Sequence, residues 1–322
     1  MKITPNIFRE YDIRGLVDSE LDETAVRGIG QAFGTYAQRL GKRVLAVGRD
    51  VRLSSDRFFA LLSEALISTG CDVVDIGVLP TPLLYFSLFE LPVEGGVMIT
   101  ASHNPSEYNG FKLCIGKETI YGKEIQKVRE MVQRDDFITG RGKISSSEGL
   151  IQQYLDYVKK KIHLRRPVRA VIDAGNATAS LVAPQLLRSL GSKITELYCT
   201  PDGTFPNHHP DPTVPENLKD LIATVKKDKA EVGLAYDGDS DRLGVVDEKG
   251  TILWGDQLLI IFARDILTRH PKSTIIFEVK CSKTLEEDIR KHGGNPLMWK
   301  AGHSLIKGKM KETGAKAAGE MS

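Results

Sequence analysis

Cysteine is scarce in this chain, and its placement argues against two kinds of structure. Only four cysteines occur among 322 residues, and no two of them stand in a C-x-x-C spacing. A disulfide-stabilised fold needs closely placed cysteines, and a structural zinc site needs paired ones. We therefore expect neither. We expect four reduced side chains, as in a cytoplasmic protein, at Cys71, Cys114, Cys199 and Cys281.

Long hydrophobic runs and an excess of one charge are also lacking. The longest apolar run, residues 258–263, ends at Arg264 and is well short of the roughly 20 residues of a membrane span. It predicts a buried helix instead. Residues 1–6 contain no apolar stretch, so a secretory signal is not expected. Lysine plus arginine total 44 against 42 aspartate plus glutamate, which favours neither nucleic acid nor a membrane as partner.

What the chain does contain is a regular alternation of strand-like and helical segments. Asp22 is a suitable N-cap for a helix whose apolar residues share one face, and the apolar run 44–47 follows as a buried strand. Such alternation predicts an α/β fold of repeated three-layer domains with mixed, mostly parallel sheets.

One unit of strand, polar turn, helix, glycine and strand recurs along the chain. Its three copies lie within residues 44–76, 168–197 and 274–294. Self-similarity on this scale indicates repeated structural units. A helical segment at 150–162 and the segment 254–256 separate the copies. We therefore predict three domains, at residues 1–150, 151–255 and 256–322.

A first candidate site is the segment 100–105, Thr-Ala-Ser-His-Asn-Pro, which follows a strand-like run at 96–99. Small, turn-forming residues there would present the Ser102 hydroxyl at the carboxyl end of a parallel strand, where α/β proteins bind ligands. A plain polar turn is one alternative, since Asn-Pro favours turns. A hydrolase nucleophile is another, although the G-x-S-x-G elbow is missing and a histidine next to its serine, here His103, rarely faces it.

A second candidate site comprises Asp237, Asp239 and Asp241, which follow a strand-like run at 232–236. Three carboxylates at alternate positions of a loop can converge on one hard cation. Magnesium suits this set better than calcium, because coordination positions remain for water and for a phosphate oxygen of a phosphorylated Ser102. An EF-hand is rejected, because Arg242 takes its glycine position. A solvated acidic turn remains an alternative, although such close like charges repel without a cation.

Arg242 directly follows the last of these carboxylates. An arginine at this position could clamp an incoming phosphate through a bidentate pair of hydrogen bonds. An ordinary salt bridge to one of the same aspartates is the alternative. The sequence leaves both interpretations open.

Seven motifs occur in the order found in α-D-phosphohexomutases, and the chain resembles that family over essentially its whole length. Besides the Ser102 and Asp237 segments they are FREYDIRG at 8–15, YNGFK at 108–112, KCS at 280–282, GHS at 302–304 and GEMS at 319–322. The GEMS motif is more similar to the phosphomannomutase/phosphoglucomutase branch than to the phosphoglucosamine one. The resemblance implies phosphohexomutase domains 1 to 3, with the third incomplete at Ser322 and the fourth absent from these residues.

The resemblance also implies roles for individual residues. The catalytic set is Ser102, which carries the transferable phosphoryl group, with Lys112 as proton-transfer partner, His103 and Arg14. The implied Mg²⁺ ligands are Ser102, Asp237, Asp239 and Asp241. The implied substrate contacts are Tyr11, Arg242, Lys280, His303, Glu320, Met321 and Ser322. Taken singly, the two lysines would be surface residues, His303 a core or surface histidine and Tyr11 a packed aromatic; only the motifs favour function.

The implied activity is the interconversion of hexose 1-phosphate and hexose 6-phosphate, of mannose or glucose. It proceeds through a phosphoserine and a hexose 1,6-bisphosphate, which is both intermediate and activator. Because the phosphoryl group in flight carries negative charge, Mg²⁺, Arg14 and Arg242 are expected to stabilise it. Lys112 can accept a proton only if desolvation or a nearby cation lowers its pKa from about 10 toward neutrality. The expected partners are small hexose phosphates, and family members are mostly monomeric.

Two departures from the family pattern affect these expectations. Ser240 stands where the family commonly has glycine, which leaves the three carboxylates in place but alters the loop torsions. The family's sugar-recognition motif continues past Ser322 into the rest of the third domain and a fourth domain that grips the non-transferred phosphate. A polypeptide limited to residues 1–322 is therefore expected to be a weak mutase. A phosphoserine-dependent phosphatase and a non-catalytic sugar-phosphate-binding protein remain alternative interpretations.

Overall fold

The computed structural model describes residues 3–321, which form three β-sheets with helices packed against them. Across the three sheets of the described residues, parallel strand pairs outnumber antiparallel ones. The predicted fold class of repeated α/β domains with mixed, mostly parallel sheets is confirmed.

The first sheet is the largest and begins the chain. Its strands are β1 (Ile13–Leu16), β2 (Val44–Arg49), β3 (Asp72–Val78), β4 (Gly95–Ile99), β5 (Tyr108–Ile115), β6 (Glu118–Thr119) and β7 (Ile144–Ser146). Their order is β1-β5-β4-β2-β3-β7, with β6 on β5; β5 is antiparallel to its neighbours. The helices of this region are α1 (Glu23–Arg39), α2 (Ser55–Ser68), α3 (Thr81–Glu90) and α4 (Lys123–Gln133).

The second and third sheets are smaller. The second contains β8 (Arg169–Asp173), β9 (Lys193–Leu197), β10 (Val232–Tyr236), β11 (Leu243–Asp247) and β12 (Ile252–Leu253), and the third contains β13 (Thr274–Glu278), β14 (Asn295–Trp299) and β15 (Ala317–Gly319). The helices around them are α5 (Leu150–Lys161), α6 (Ala183–Ser189), α7 (Lys219–Asp228), α8 (Gly255–Arg269), α9 (Lys283–Lys291) and α10 (His303–Thr313).

The predicted helix after Asp22 shows how local sequence builds these elements. The Asp22 side chain accepts a hydrogen bond from the backbone N–H of Ala25, and this N-cap starts α1. Val26, Ile29 and Phe33 lie on one face of the helix and are completely buried in the core of the first sheet. The cap and the apolar stripe together fix the start and the buried face of α1.

The same strand order recurs in all three sheets. The first strand of each unit lies between the second and the third and is parallel to both: β2 between β3 and β4, β8 between β9 and β10, β13 between β14 and β15. Ser102 follows β4, the three aspartates follow β10, and Glu320 follows β15. Because equivalent strands end at equivalent places, each sheet contributes one loop to the same region of the molecule.

Local expectations were wrong at two places. The apolar run 258–263 does lie in a helix, α8, but the helix is not buried all round: Ile261 is 52% and Phe262 51% exposed. The helix expected in the second copy of the repeated unit, within residues 168–197, is split into a 3-10 turn at Thr178–Leu181 and the short helix α6. Among residues 3–321, no helix has the length and apolarity needed to cross a membrane.

Candidate active site

Ser102 lies in a tight loop just beyond β4. Its φ of 52° is in the left-handed region, and its backbone N–H donates to Oγ1 of Thr100 at 2.9 Å. Ser102 is only 2% exposed, and its hydroxyl donates to Oδ2 of Asp237 at 2.7 Å. The loop therefore delivers the serine hydroxyl directly to the first of the three aspartates.

His103 approaches the same hydroxyl, contrary to the sequence argument that adjacent Ser and His side chains rarely meet. Its Nδ1 lies 3.2 Å from Oγ of Ser102. Burial, followed by the positive charge of Arg242, lowers the pKa of His103 to about 4. The ring is therefore neutral at physiological pH and has a nitrogen beside the serine.

Arg52, a residue outside all of the sequence motifs, holds the Ser102 loop in place through hydrogen bonds. Its side chain is completely buried, and its Nε donates to Oδ2 of Asp50 at 3.1 Å. The other guanidinium hydrogens go to four backbone carbonyls of the loop: Ser102, Asn104, Pro105 and Tyr108. All five N–H groups of the planar fork are thus used, which fixes the loop conformation.

The three aspartates after β10 converge as the sequence predicts. One carboxylate oxygen from each of Asp237, Asp239 and Asp241 lies within 4.8 Å of the others. Asp239 is completely buried, and its Oδ1 has no hydrogen-bond partner among the described residues. An unpaired buried carboxylate oxygen is costly unless a cation or donor reaches it. The donor set and this oxygen fit a hard divalent cation.

Lys112 projects from β5 into the same carboxylate cluster. Its ammonium donates to Oδ2 of Asp239 at 2.5 Å and to Oδ2 of Asp241 at 2.6 Å. Burial acts to lower the pKa of Lys112, but the two carboxylates outweigh it and hold that pKa well above its ordinary value. The lowered pKa that proton acceptance by Lys112 requires is therefore not met in this arrangement, because the lysine itself neutralises the aspartates.

Gly238 allows the aspartate loop after β10 to contact the Ser102 loop after β4. A Cβ on this residue would overlap the carbonyl oxygen of Ser102. The next residue but one, Ser240, adopts a φ of 61°, a left-handed conformation that glycine reaches most easily. Its hydroxyl lies 2.9 Å from Oγ1 of Thr178. Serine therefore occupies the usual glycine position with a compensating hydrogen bond.

Two arginines flank the serine and the aspartates. Arg14 donates to Oδ1 of Asn104 at 2.6 Å and to Oδ2 of Asp12 at 2.5 Å, while its buried Nε finds no partner in the described part of the chain. Arg242 lies farther from its carboxylate, with Nε 3.9 Å from Oδ2 of Asp237. Both guanidinium groups therefore keep hydrogen-bonding capacity toward an anion in the site.

The third domain closes the site from the opposite side. The Tyr11 hydroxyl donates to the carbonyl oxygen of Ala301 at 2.9 Å, and its ring centroid lies 5.8 Å from that of His303. Gly302, at φ 123°, packs against the Tyr11 ring and donates its N–H to Oε1 of Glu320 at 2.6 Å. Burial and the nearby cation of Lys112 lower the pKa of His303 to about 3, and burial raises that of Glu320.

These groups surround one cavity of about 710 Å³. The predicted site residues that line it are Tyr11, Arg14, Ser102, His103, Lys112, Asp241, Arg242, His303 and Glu320. Asp237 and Asp239 lie behind this wall. Met321 lines a neighbouring groove of about 200 Å³. The Lys280 side chain is 55% exposed, and its ammonium lies 3.4 Å from Oε1 of Glu278. Ser322 is outside the described residues.

Comparison with known proteins agrees with this geometry. Three family descriptions match in order: phosphoglucomutase/phosphomannomutase alpha/beta/alpha domain I over residues 5–139, domain II over 152–250 and domain III over 254–322. The chain belongs to the phosphoglucomutase/phosphomannomutase family. The family resemblance expected from the motifs is thereby confirmed.

Individual members of the phosphoglucomutase/phosphomannomutase family are similar over nearly all of this chain. A phosphomannomutase/phosphoglucomutase of Pseudomonas aeruginosa is 48% identical over 98% of this chain and 68% of its own length. A phosphoglucomutase of Neisseria gonorrhoeae is 45% identical over 99% of this chain and 70% of its own. A crystal structure of a family protein from Burkholderia thailandensis superposes with a TM-score of 0.97, at 44% identity, over 99% of this chain and 71% of its own.

These phosphoglucomutase/phosphomannomutase relatives are isomerases of the phosphotransferase type, which confirms the predicted enzyme class. Their names support hexose phosphate mutase activity.

Sequence reasoning missed several residues of the cavity and its support. Arg9, Glu10 and Asp12 line the cavity within the quoted FREYDIRG motif and could have been found there. Pro82, Tyr85 and Lys307 also line it, and like Arg52 they belong to no motif.

Proposed function

We propose that this chain interconverts hexose 1-phosphate and hexose 6-phosphate through a phosphorylated Ser102 and a hexose 1,6-bisphosphate. The observation that carries the proposal is the hydrogen bond from the Ser102 hydroxyl to Asp237, at the edge of a convergent carboxylate cluster and a large cavity. A nucleophile beside a cation site is the arrangement that phosphoryl transfer requires. The relatives' names include both mannose and glucose enzymes, so we propose either hexose as substrate.

Asp237, Asp239 and Asp241 would hold Mg²⁺ together with the phosphoryl group of Ser102. Bound there, the ion supplies positive charge that stabilises the phosphoryl oxygens. The unpartnered Oδ1 of Asp239 supports this assignment. Arg14 and Arg242 would bind the remaining phosphoryl oxygens, for which Arg14 has its unpaired Nε.

Two groups are placed to move the proton of the reacting hydroxyl. Lys112 lies at the cavity wall, and its high pKa depends on the negative charge of Asp239 and Asp241. Any positive charge that offsets these carboxylates would lower that pKa toward the range useful for a base. His103 is already neutral and lies 3.2 Å from the Ser102 hydroxyl. We propose Lys112 as the proton-transfer partner of the sugar and His103 as its counterpart at the serine.

The sugar itself would be bound mainly by the third domain. Tyr11, His303 and Glu320 already share one network across the cavity. Lys280 and Met321 lie outside its lining, so their proposed contacts require the third domain to move relative to the first, as in enzymes that close on their substrate. The contact proposed for Ser322 lies outside the described residues.

A coupled assay of mannose 1-phosphate conversion to mannose 6-phosphate tests the proposal. We expect conversion that requires Mg²⁺ and a trace of hexose 1,6-bisphosphate. Because the chain spans 68% of the P. aeruginosa relative, a polypeptide limited to these 322 residues should be slower than a version extended by the rest of the relative's length. Release of inorganic phosphate without isomerisation would point to a phosphatase. Binding of hexose phosphate without turnover would point to a non-catalytic protein.

Asp239→Asn should weaken Mg²⁺ binding at least tenfold, because it removes one of three charges from the cluster. Isothermal titration calorimetry measures this directly. Asp247→Asn is the matched control, since that aspartate ends β11 and its carboxylate accepts hydrogen bonds from the backbone N–H groups of Lys249 and Thr251 in the nearby turn. Equal affinity in the wild type and Asp239→Asn would place the metal elsewhere.

A further inference from the structure

One positive charge in the cavity has no carboxylate partner among the described residues. Lys307 lies on α10, one turn after His303, and both side chains line the cavity. Among residues 3–321, no carboxylate pairs with its ammonium, and no hydrogen-bond acceptor is in range. Lys112 and Arg14, by contrast, are each paired with aspartates. Lys307 is therefore surplus positive charge facing the cavity.

Lys307 contacts an aromatic ring whose hydroxyl is an unused donor. Its Nζ lies 3.8 Å from the ring centroid of Tyr85, which belongs to α3 of the first domain. The Tyr85 hydroxyl is buried and has no hydrogen-bond partner within residues 3–321. A buried hydroxyl normally finds a hydrogen-bond partner, because leaving it unpaired costs free energy. An exposed ammonium without a carboxylate partner and a buried hydroxyl without a hydrogen-bond partner thus belong to two residues that line the same cavity from different domains.

The charges around this pair favour an anionic ligand. Burial is the main effect that lowers the pKa of Lys307; the like charge of Lys112 adds to it, whereas Cys114, Asp241 and Asp239 act in the opposite direction. Lys112 itself bonds Asp239 and Asp241, so these carboxylates act on Lys307 only from a distance. A ligand that offers several negatively charged oxygens would satisfy the ammonium and the hydroxyl together. A phosphate group is such a ligand, and a neutral sugar is not.

We propose that Lys307 and Tyr85 form an anchor for a phosphate group of the bound hexose phosphate. The anchor rests on the proposed function for the identity of its ligand. Because Lys307 belongs to the third domain and Tyr85 to the first, a phosphate that contacts both the ammonium and the hydroxyl ties the two domains together. Lys307 is then a substrate-binding residue, and Tyr85 both positions its ammonium and contacts the ligand.

Calorimetric titration of the full 322-residue chain with glucose 6-phosphate tests the anchor, with glucose as the uncharged probe. Lys307→Gln should weaken glucose 6-phosphate binding about tenfold or more, the usual cost of losing a charged hydrogen bond. Lys307→Arg should restore affinity to within about threefold, since the charge returns. Tyr85→Phe should lower affinity by about threefold to tenfold while keeping the ring under Lys307.

Lys309→Gln is the matched control. Lys309 lies on the same helix and also contacts an aromatic ring, with Nζ 4.2 Å from the Trp299 centroid, but it pairs with Glu312 outside the cavity. Its loss should change affinity by less than about twofold. A merely structural role of Lys307 would be shown by equal losses for glucose and glucose 6-phosphate, and that result would overturn the anchor.

Phosphorylation of Ser102 in the same preparations separates the two proposals. If the wild type labels Ser102 and Lys307→Gln binds glucose 6-phosphate as tightly as the wild type, the anchor is wrong and the proposed function stands. If Lys307→Gln loses affinity while Ser102 never labels, the anchor stands and the phosphoserine mechanism fails. Absence of any glucose 6-phosphate binding by the wild type would overturn both.

Discussion

Ser102→Ala should abolish phosphorylation of the chain by glucose 1,6-bisphosphate. In the wild type, intact-mass measurement after incubation with Mg²⁺ and the bisphosphate should show one added phosphate. The expectation rests on position: the Ser102 hydroxyl donates to Asp237 and lies beside His103, in a loop that leads into the cavity. Another hydroxyl cannot replace it, because attack needs the oxygen within near-contact distance of the phosphorus.

Ser106→Ala is the matched control for that experiment. Ser106 lies in the same loop, four residues further on, and is exposed to solvent. Its loss should leave the labelling unchanged. Labelling that survives in Ser102→Ala would remove the phosphoserine from the proposed mechanism, and loss of labelling in Ser106→Ala would show that the assay reports loop integrity instead of chemistry.

Arg52→Met should destabilise the first domain and disorder the catalytic loop. The substitution leaves Asp50 without its buried counterion and the carbonyls of Ser102 and Asn104 without donors. Breaking a buried ion pair in this way costs about 3–5 kcal/mol. Hydrogen-exchange mass spectrometry should show faster exchange across residues 95–110. Ser102 labelling should fall as well, because the hydroxyl is no longer held against Asp237.

Arg57→Met provides the comparison, because this arginine is on the neighbouring helix α2 but at the surface. It pairs with Asp18, and both side chains are largely exposed. Surface pairs contribute about 0–1 kcal/mol, so little change in exchange or labelling is expected. Equal protection of residues 95–110 in Arg52→Met and wild type would show that Arg52 does not hold the loop.

The fold was largely predictable because its signals are local. The N-cap at Asp22 and the apolar stripe of α1 depend only on residues a few helical turns apart. The recurring unit likewise shows the same strand order in each sheet. Predictions failed where packing overrides local pattern. Ile261 and Phe262 are apolar, yet they lie on the solvent side of α8, and no property of the run 258–263 itself reveals which face is covered.

The candidate site divides in the same way. Sequence alone identified Ser102 and the aspartates, because loops that follow strands can be read from short segments with distinctive chemistry. Only the tertiary structure showed that Lys112 bonds Asp239, 127 residues away, and that the resulting charge raises its pKa. It alone also placed Arg52 under the Ser102 loop and brought Lys307 against Tyr85. Charge pairing and pKa depend on distance and burial, and packing sets both between segments that are far apart in the sequence.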